Sequence, residues 1–150
     1  MVKLSPDPGL LQFMKPTVDT PFHIDYDWLE QQDVDVNVLL LSHLCSEHRD
    51  AYQGQQVNEA IDWVDWETGE VRQVDGLQYI IATHCSQQSG YVTDAPTLLE
   101  AIFRVFLGNG NRPLTPSRLA SLVGHSTNRV LSALSTRNTL KGIRPVLPEL

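Results

Sequence analysis

Apolar residues in this chain keep a helical period over most of its length and alternate in only one stretch. Between Asn37 and Tyr52, Leu41, Leu44, Cys45, His48 and Tyr52 recur every three or four positions, so they share one face and predict a helix. Ahead of it, Asp25 is placed to cap a short helix within FHIDYDWLEQQ. The alternating stretch is AIDWVDWETGEVRQVDG at residues 60–76, where Ile61 and Trp63 face Val71 and Val74 across Glu67-Thr68-Gly69, the pattern of a hairpin. Trp63 and Trp66 are three apart in that strand and point to opposite sides, so one of them is exposed, or covered by the N-terminal arm or a partner. Asp75-Gly76 ends the second strand and opens another helical pattern, with Leu77, Ile80, Ile81, His84 and Cys85 on one face up to Ser89-Gly90.

The last third carries the clearest punctuation. A cap at Asp94-Ala95-Pro96-Thr97 precedes the amphipathic LLEAIFRVFL, which Gly108-Asn109-Gly110-Asn111 stops. Thr115 followed by Pro116 starts a short helix that ends at Gly124, and Ser126 or Thr127 caps the next, TNRVLSALST. The tail TLKGIRPVLPEL, with β-branched residues and two prolines, suits a short edge strand. At the other end, Pro6, Pro8, Pro16 and Pro21 predict an extended arm over residues 1–21, with Leu10, Leu11, Phe13 and Met14 available to dock on a surface.

Charge divides the chain near residue 96. Residues 1–96 hold sixteen acidic and four basic side chains, a formal −12, whereas residues 97–150 hold two acidic and seven basic ones, a formal +5. Such asymmetry marks a basic part suited to nucleic acid joined to something else. Apolar runs such as Val38–Leu41 fall far short of the ~20 residues a membrane span needs, and the proline- and acid-interrupted N-terminus is unlike a signal peptide. A soluble, cytoplasmic protein is therefore expected, with no membrane partner. Two cysteines are too few for a disulfide scaffold and fit free thiols or metal ligands.

LTPSRLASLVGHSTNRVLSALS resembles the helix-turn-helix of winged-helix DNA-binding proteins, and the resemblance covers about residues 96–147. Ala120 is small where two helices would cross, Gly124 permits the positive φ of a tight turn, and Leu119, Val123, Val130, Ala133 and Leu134 fill the locking positions. Leu98 to Leu107 supplies the preceding helix, and Arg112-Pro113-Leu114 the short strand such domains carry. His125 departs from the usual apolar residue, and Gly142 with Pro145 leaves room for only a truncated wing. The resemblance implies a second helix that enters a DNA groove with Ser126, Thr127, Asn128, Arg129, Ser132 and Ser135 outward. It places Arg137, Lys141 and Arg144 where a wing meets the backbone. A solvated helix face explains the same residues without DNA, and winged helices also serve as protein–protein adaptors.

A second cluster lies in the acidic part. Cys45-Ser-Glu-His48 and His84-Cys85 form a C-x2-H…H-C set, and Cys45 and His48 at i and i+3 share a helical face. Thiolate and imidazole are zinc ligands, and four make a closed structural site. Adjacent helical residues diverge by about 100°, so His84 and Cys85 can bind together only where the helix ends. Cys45, His48 and Cys85 completed by His43, by water or by a carboxylate would serve equally, and two packed core thiols explain the cysteines with no metal. A catalytic Cys45 would need an orienting group and an oxyanion site, and neither is legible. The scattered Asp residues lack calcium-loop spacing and read as an acidic surface.

The expected architecture is α+β: an arm (residues 1–21), a small acidic part of two helices and a β-hairpin (22–95), and a winged-helix-like three-helix domain (96–150) packed on it. The expected function is non-enzymatic nucleic-acid binding, to DNA before RNA, of transcription-regulator type and with a structural zinc. The alternative is an adaptor or assembly subunit that holds a protein partner or a second copy of itself, and a hydrolase or lyase using Cys45 comes third.

Overall fold

The computed structural model describes residues 16–52, 60–64, 67–135 and 142–146, and the proline-rich residues 1–15 of the expected arm lie outside them. The described chain mixes helix and strand, as an α+β protein. Strand β1 (Phe22–Ile24) leads into helix α1 (Tyr26–Gln31), whose cap is Asp25: its carboxylate accepts from the Trp28 amide at 3.0 Å. Asp35 caps α2 (Val36–Leu41) in the same way through the Val38 amide. Helix α3 (Ser46–Tyr52) follows after a break.

That break corrects the single helix predicted over Asn37 to Tyr52. Ser42 Oγ donates to the Leu39 carbonyl at 2.6 Å and His43 Nδ1 lies 2.8 Å from the same oxygen, so two side chains compete for the carbonyl that the next helical turn would use. The chain turns through Ser42–Cys45 and restarts at Ser46.

Strands β2 (Ala60–Val64) and β3 (Val71–Asp75) pair antiparallel with Ile61 opposite Val74 and Val64 opposite Val71, the hairpin the alternation predicted. Helix α4 (Gly76–Thr83) starts directly from β3 and buries Leu77, Gln78, Ile81 and Ala82. A 3-10 turn (Cys85–Gln87) ends it. The described residues of 22–95 thus hold four short α-helices, the hairpin and one further strand, where two helices and a hairpin were expected.

Three more helices follow among the described residues: α5 (Leu98–Gly108), α6 (Pro116–Val123) and α7 (Thr127–Leu134). Thr97, Thr115 and Ser126 cap them, each accepting from the amide three residues on, and Gly124 turns between α6 and α7 at φ 73°. Ile102, Phe103, Phe106, Leu107, Leu119 and Val130 are fully buried where the three helices meet.

The sheet beneath them draws on both ends of the chain. Strand β4 (Ile143–Pro145) pairs antiparallel with β1, Ile24 opposite Ile143 and Phe22 opposite Pro145. On its other side Phe22 exchanges backbone hydrogen bonds of 2.8 and 3.0 Å with Leu114, so the expected Arg112–Leu114 strand is reduced to one bridging residue. The Asn111 amide continues that edge, accepting from Ile24 N at 2.8 Å and donating to Ile24 O at 2.9 Å. Phe22 and Ile24 point into the common core and are fully buried. Among the described residues no helix is long and apolar enough to cross a membrane.

Candidate metal centre

Helix α3 and the end of α4 bring the four predicted metal ligands together. Cys45 immediately precedes α3, and its carbonyl accepts the first helical hydrogen bond, from Arg49 N at 2.8 Å. His48, one turn on, returns to the same side, and Cys45 Sγ lies 3.3 Å from His48 Nδ1. The second pair solves the geometry of adjacent residues by leaving the helix. α4 stops at Thr83, His84 takes the non-helical φ −128°, ψ −63°, and Cys85 opens the 3-10 turn. Both side chains then converge on Cys45: Sγ of Cys85 is 3.4 Å away and Nδ1 of His84 is 3.7 Å away. Cys85 Sγ is 3.6 Å from His48 Nδ1, and all four donor atoms lie within 4.8 Å of one another.

Four of the six donor–donor separations fall in the range of the edges of a coordination tetrahedron. Zinc with arms of about 2.3 Å to sulfur and about 2.0–2.1 Å to nitrogen requires donor–donor edges of about 3.3–3.8 Å. Those four run from 3.3 to 3.7 Å, and the other two pairs lie within 4.8 Å. Both imidazoles offer Nδ1, which leaves Nε2 to carry the proton, and Nε2 of His84 lies 3.9 Å from the Glu47 carboxylate. The His48 and His84 rings meet edge-on, with centroids 4.3 Å apart.

A cation bound here would have to displace thiol protons. Cys85 is fully buried and burial pushes its thiol up to about 11, so the site without a cation holds that sulfur protonated. A divalent metal inverts this, because a coordinating thiol gives up its proton, and two thiolates with two neutral imidazoles around a 2+ ion leave no net charge to bury. Cys45, His48 and His84 are half-buried, which leaves a path for the ion.

His43, the alternative ligand, is turned away. It is buried with Nε2 2.6 Å from Glu100 Oε1 and its ring against Phe103. Glu100 has no sequence signal for this pairing, because it lies 57 residues from His43 and reads as an acid in the first turn of an amphipathic helix.

The residues implied by the winged-helix resemblance are more dispersed. Ser126, Asn128, Arg129, Ser132 and Ser135 are exposed on or beside α7, and Thr127 is half-buried. Ser126 Oγ accepts from the Arg129 amide at 3.3 Å and Ser135 Oγ donates to Leu131 O at 2.7 Å, so these two hydroxyls serve the helix ends. His125, at the departure from the family pattern, is exposed. Arg144 sits on β4, 3.8 Å from the Asp25 carboxylate and with its guanidinium 5.2 Å from the centre of the Trp28 ring. Arg137 and Lys141 lie outside the described residues. Comparison with protein-family models, with curated proteins and with solved structures gives no match.

Proposed function

We propose that the protein is a non-catalytic zinc protein in which Cys45, His48, His84 and Cys85 clamp α3 to the end of α4. The convergence of four donor atoms from two segments, all within 4.8 Å of one another and four pairs of them 3.3–3.7 Å apart, carries this reading. Four protein ligands leave no open position for substrate or water, which favours a structural role over a catalytic one. Elemental analysis of the purified protein is expected to find about one zinc per chain, lost in a Cys45→Ser, His48→Ala variant. A zinc-free protein whose stability that double substitution leaves unchanged would refute the site.

The same protein is proposed to bind DNA through α7. What supports this is a stretch from Ala101 to Pro148 without one carboxylate, combined with Asn128 and Arg129 exposed on the second helix of a helix-turn-helix pair. Binding to a duplex in a gel-shift assay is expected to weaken steeply with salt and to be lost in Arg129→Ala with Arg137→Ala. An absence of any shift at low salt would reject this half and leave the metal centre standing. A protein partner recovered in its place, through the same helix, would favour the adaptor reading.

A further inference from the structure

The Cys45 limb of the metal centre is held by a polar network rooted outside it. Glu100 and Arg104 stand one turn apart on α5, and Tyr91 lies in the segment that leads to that helix. Glu100 Oε1 meets His43 Nε2 at 2.6 Å, and the other ring nitrogen of His43 is 2.8 Å from the Leu39 carbonyl, so the imidazole ties α5 to the last turn of α2. The Tyr91 hydroxyl donates to the His43 carbonyl at 2.9 Å. Arg104 fixes Tyr91 in turn: its Nη1 donates to the Tyr91 carbonyl at 2.8 Å and its guanidinium lies 5.4 Å from the centre of that ring. One residue further along, the Leu44 carbonyl accepts from Arg49 Nη2 at 3.0 Å, and Leu44 itself is buried in the core. The two carbonyls that immediately precede Cys45 are therefore both anchored, one from the α5 side and one from α3.

From this arrangement we infer that Tyr91 and Glu100 are positioning residues of the metal centre, through which α5 sets its affinity. The inference rests on the zinc reading of the four ligands. Its physical basis is preorganisation. Cys45 lies at the end of a turn between two helices, and a free turn would have to be ordered each time the metal binds. Fixed carbonyls at residues 43 and 44 remove that requirement before the ion arrives. Outer contacts of this kind change metal affinity by about 10–100-fold when removed. α5 is also the helix on which α6 and α7 pack.

Tyr91→Phe keeps the ring and the packing and removes only the hydroxyl that holds the His43 carbonyl. Zinc affinity, measured by competition with a chromophoric chelator, is expected to weaken by about tenfold or more. The visible ligand-field bands of the cobalt-substituted protein are expected to shift as the Cys45 thiolate loses its fixed direction. Leu134→Ala on α7 is the control: it lowers stability by a core mechanism, and is expected to leave both readouts unchanged while the protein stays folded. A Tyr91→Phe protein with wild-type zinc affinity and an unaltered cobalt spectrum would overturn the positioning role and leave the metal centre intact. An equal loss of affinity in Leu134→Ala would also overturn it, by tracing the effect to general destabilisation. A wild-type chain that binds neither ion would overturn the metal centre and this inference together.

Discussion

Substituting Phe22 by alanine is expected to damage the C-terminal helices although the residue lies more than seventy positions before them. Its side chain is fully buried in the core shared with Phe103, Phe106 and Leu119, and its backbone is hydrogen bonded to Leu114 while its other side pairs with β4. A buried Phe→Ala change costs about 3–5 kcal/mol, and the corresponding change at the buried Ile24 about 2–5 kcal/mol. Domains of this size have only about 5–15 kcal/mol of folding free energy. Loss of β1 altogether removes both side chains and the backbone pairing with them, which approaches the whole of that figure. A fragment of residues 96–150 is therefore expected to show no cooperative urea transition in far-UV circular dichroism. A peptide of residues 16–31 added in trans is expected to restore one. A cooperative, peptide-independent transition of the fragment, or a Phe22→Ala cost below about 1 kcal/mol, would refute this interdependence.

Three further outcomes follow from individual residues. Gly142 has φ 70°, and a Cβ there would lie 2.6 Å from Leu29 Cγ, so Gly142→Ala is expected to cost more than the roughly 1–2 kcal/mol of a left-handed backbone alone; urea midpoints decide it, and a smaller loss contradicts the tight approach. Burial lowers the pKa of His23 below its ordinary 6.5, which favours the neutral ring in the folded chain. The associated stability is present above that value and is lost as the pH falls through the lowered one, so His23→Gln is expected to flatten the acid side of the stability profile, and an unchanged profile would count against it. Chelation is expected to lower the thermal midpoint of the wild type and not that of Cys45→Ser with His48→Ala. A ligand held at about a thousand times its Kd adds about 4 kcal/mol, which for a chain of this length corresponds to about 8–16 °C.

What was legible in the sequence was chemically local. Asp25, Thr97, Thr115 and Ser126 announced helix starts because a cap needs only a short polar side chain and the amides two or three residues beyond it. The same locality made Cys45 and His48 readable as one half of a site, and identified the condition that His84 and Cys85 could meet only at a helix end. The break at Ser42–Cys45 was hidden because it arises from competition between side chains and one carbonyl, which leaves the three- and four-residue apolar spacing intact. The pairing of β1 with β4 was hidden for another reason. Two three-residue strands at opposite ends of the chain carry too little periodicity to register, and their partnership is set by the core that Phe22, Ile24 and Ile143 fill together. The charge boundary near residue 96 is thus bridged in the sheet, by β1, and in the core, by the His43–Glu100 pair among other contacts.

Cys45, His48, His84 and Cys85 are proposed to close around one zinc ion. X-ray absorption at the zinc edge on the purified full chain tests it most directly. The expected first shell is two sulfur atoms at about 2.3 Å and two nitrogen atoms at about 2.0–2.1 Å, with no bound water. A protein that retains no zinc, or a shell built of oxygen and nitrogen without sulfur, would contradict it.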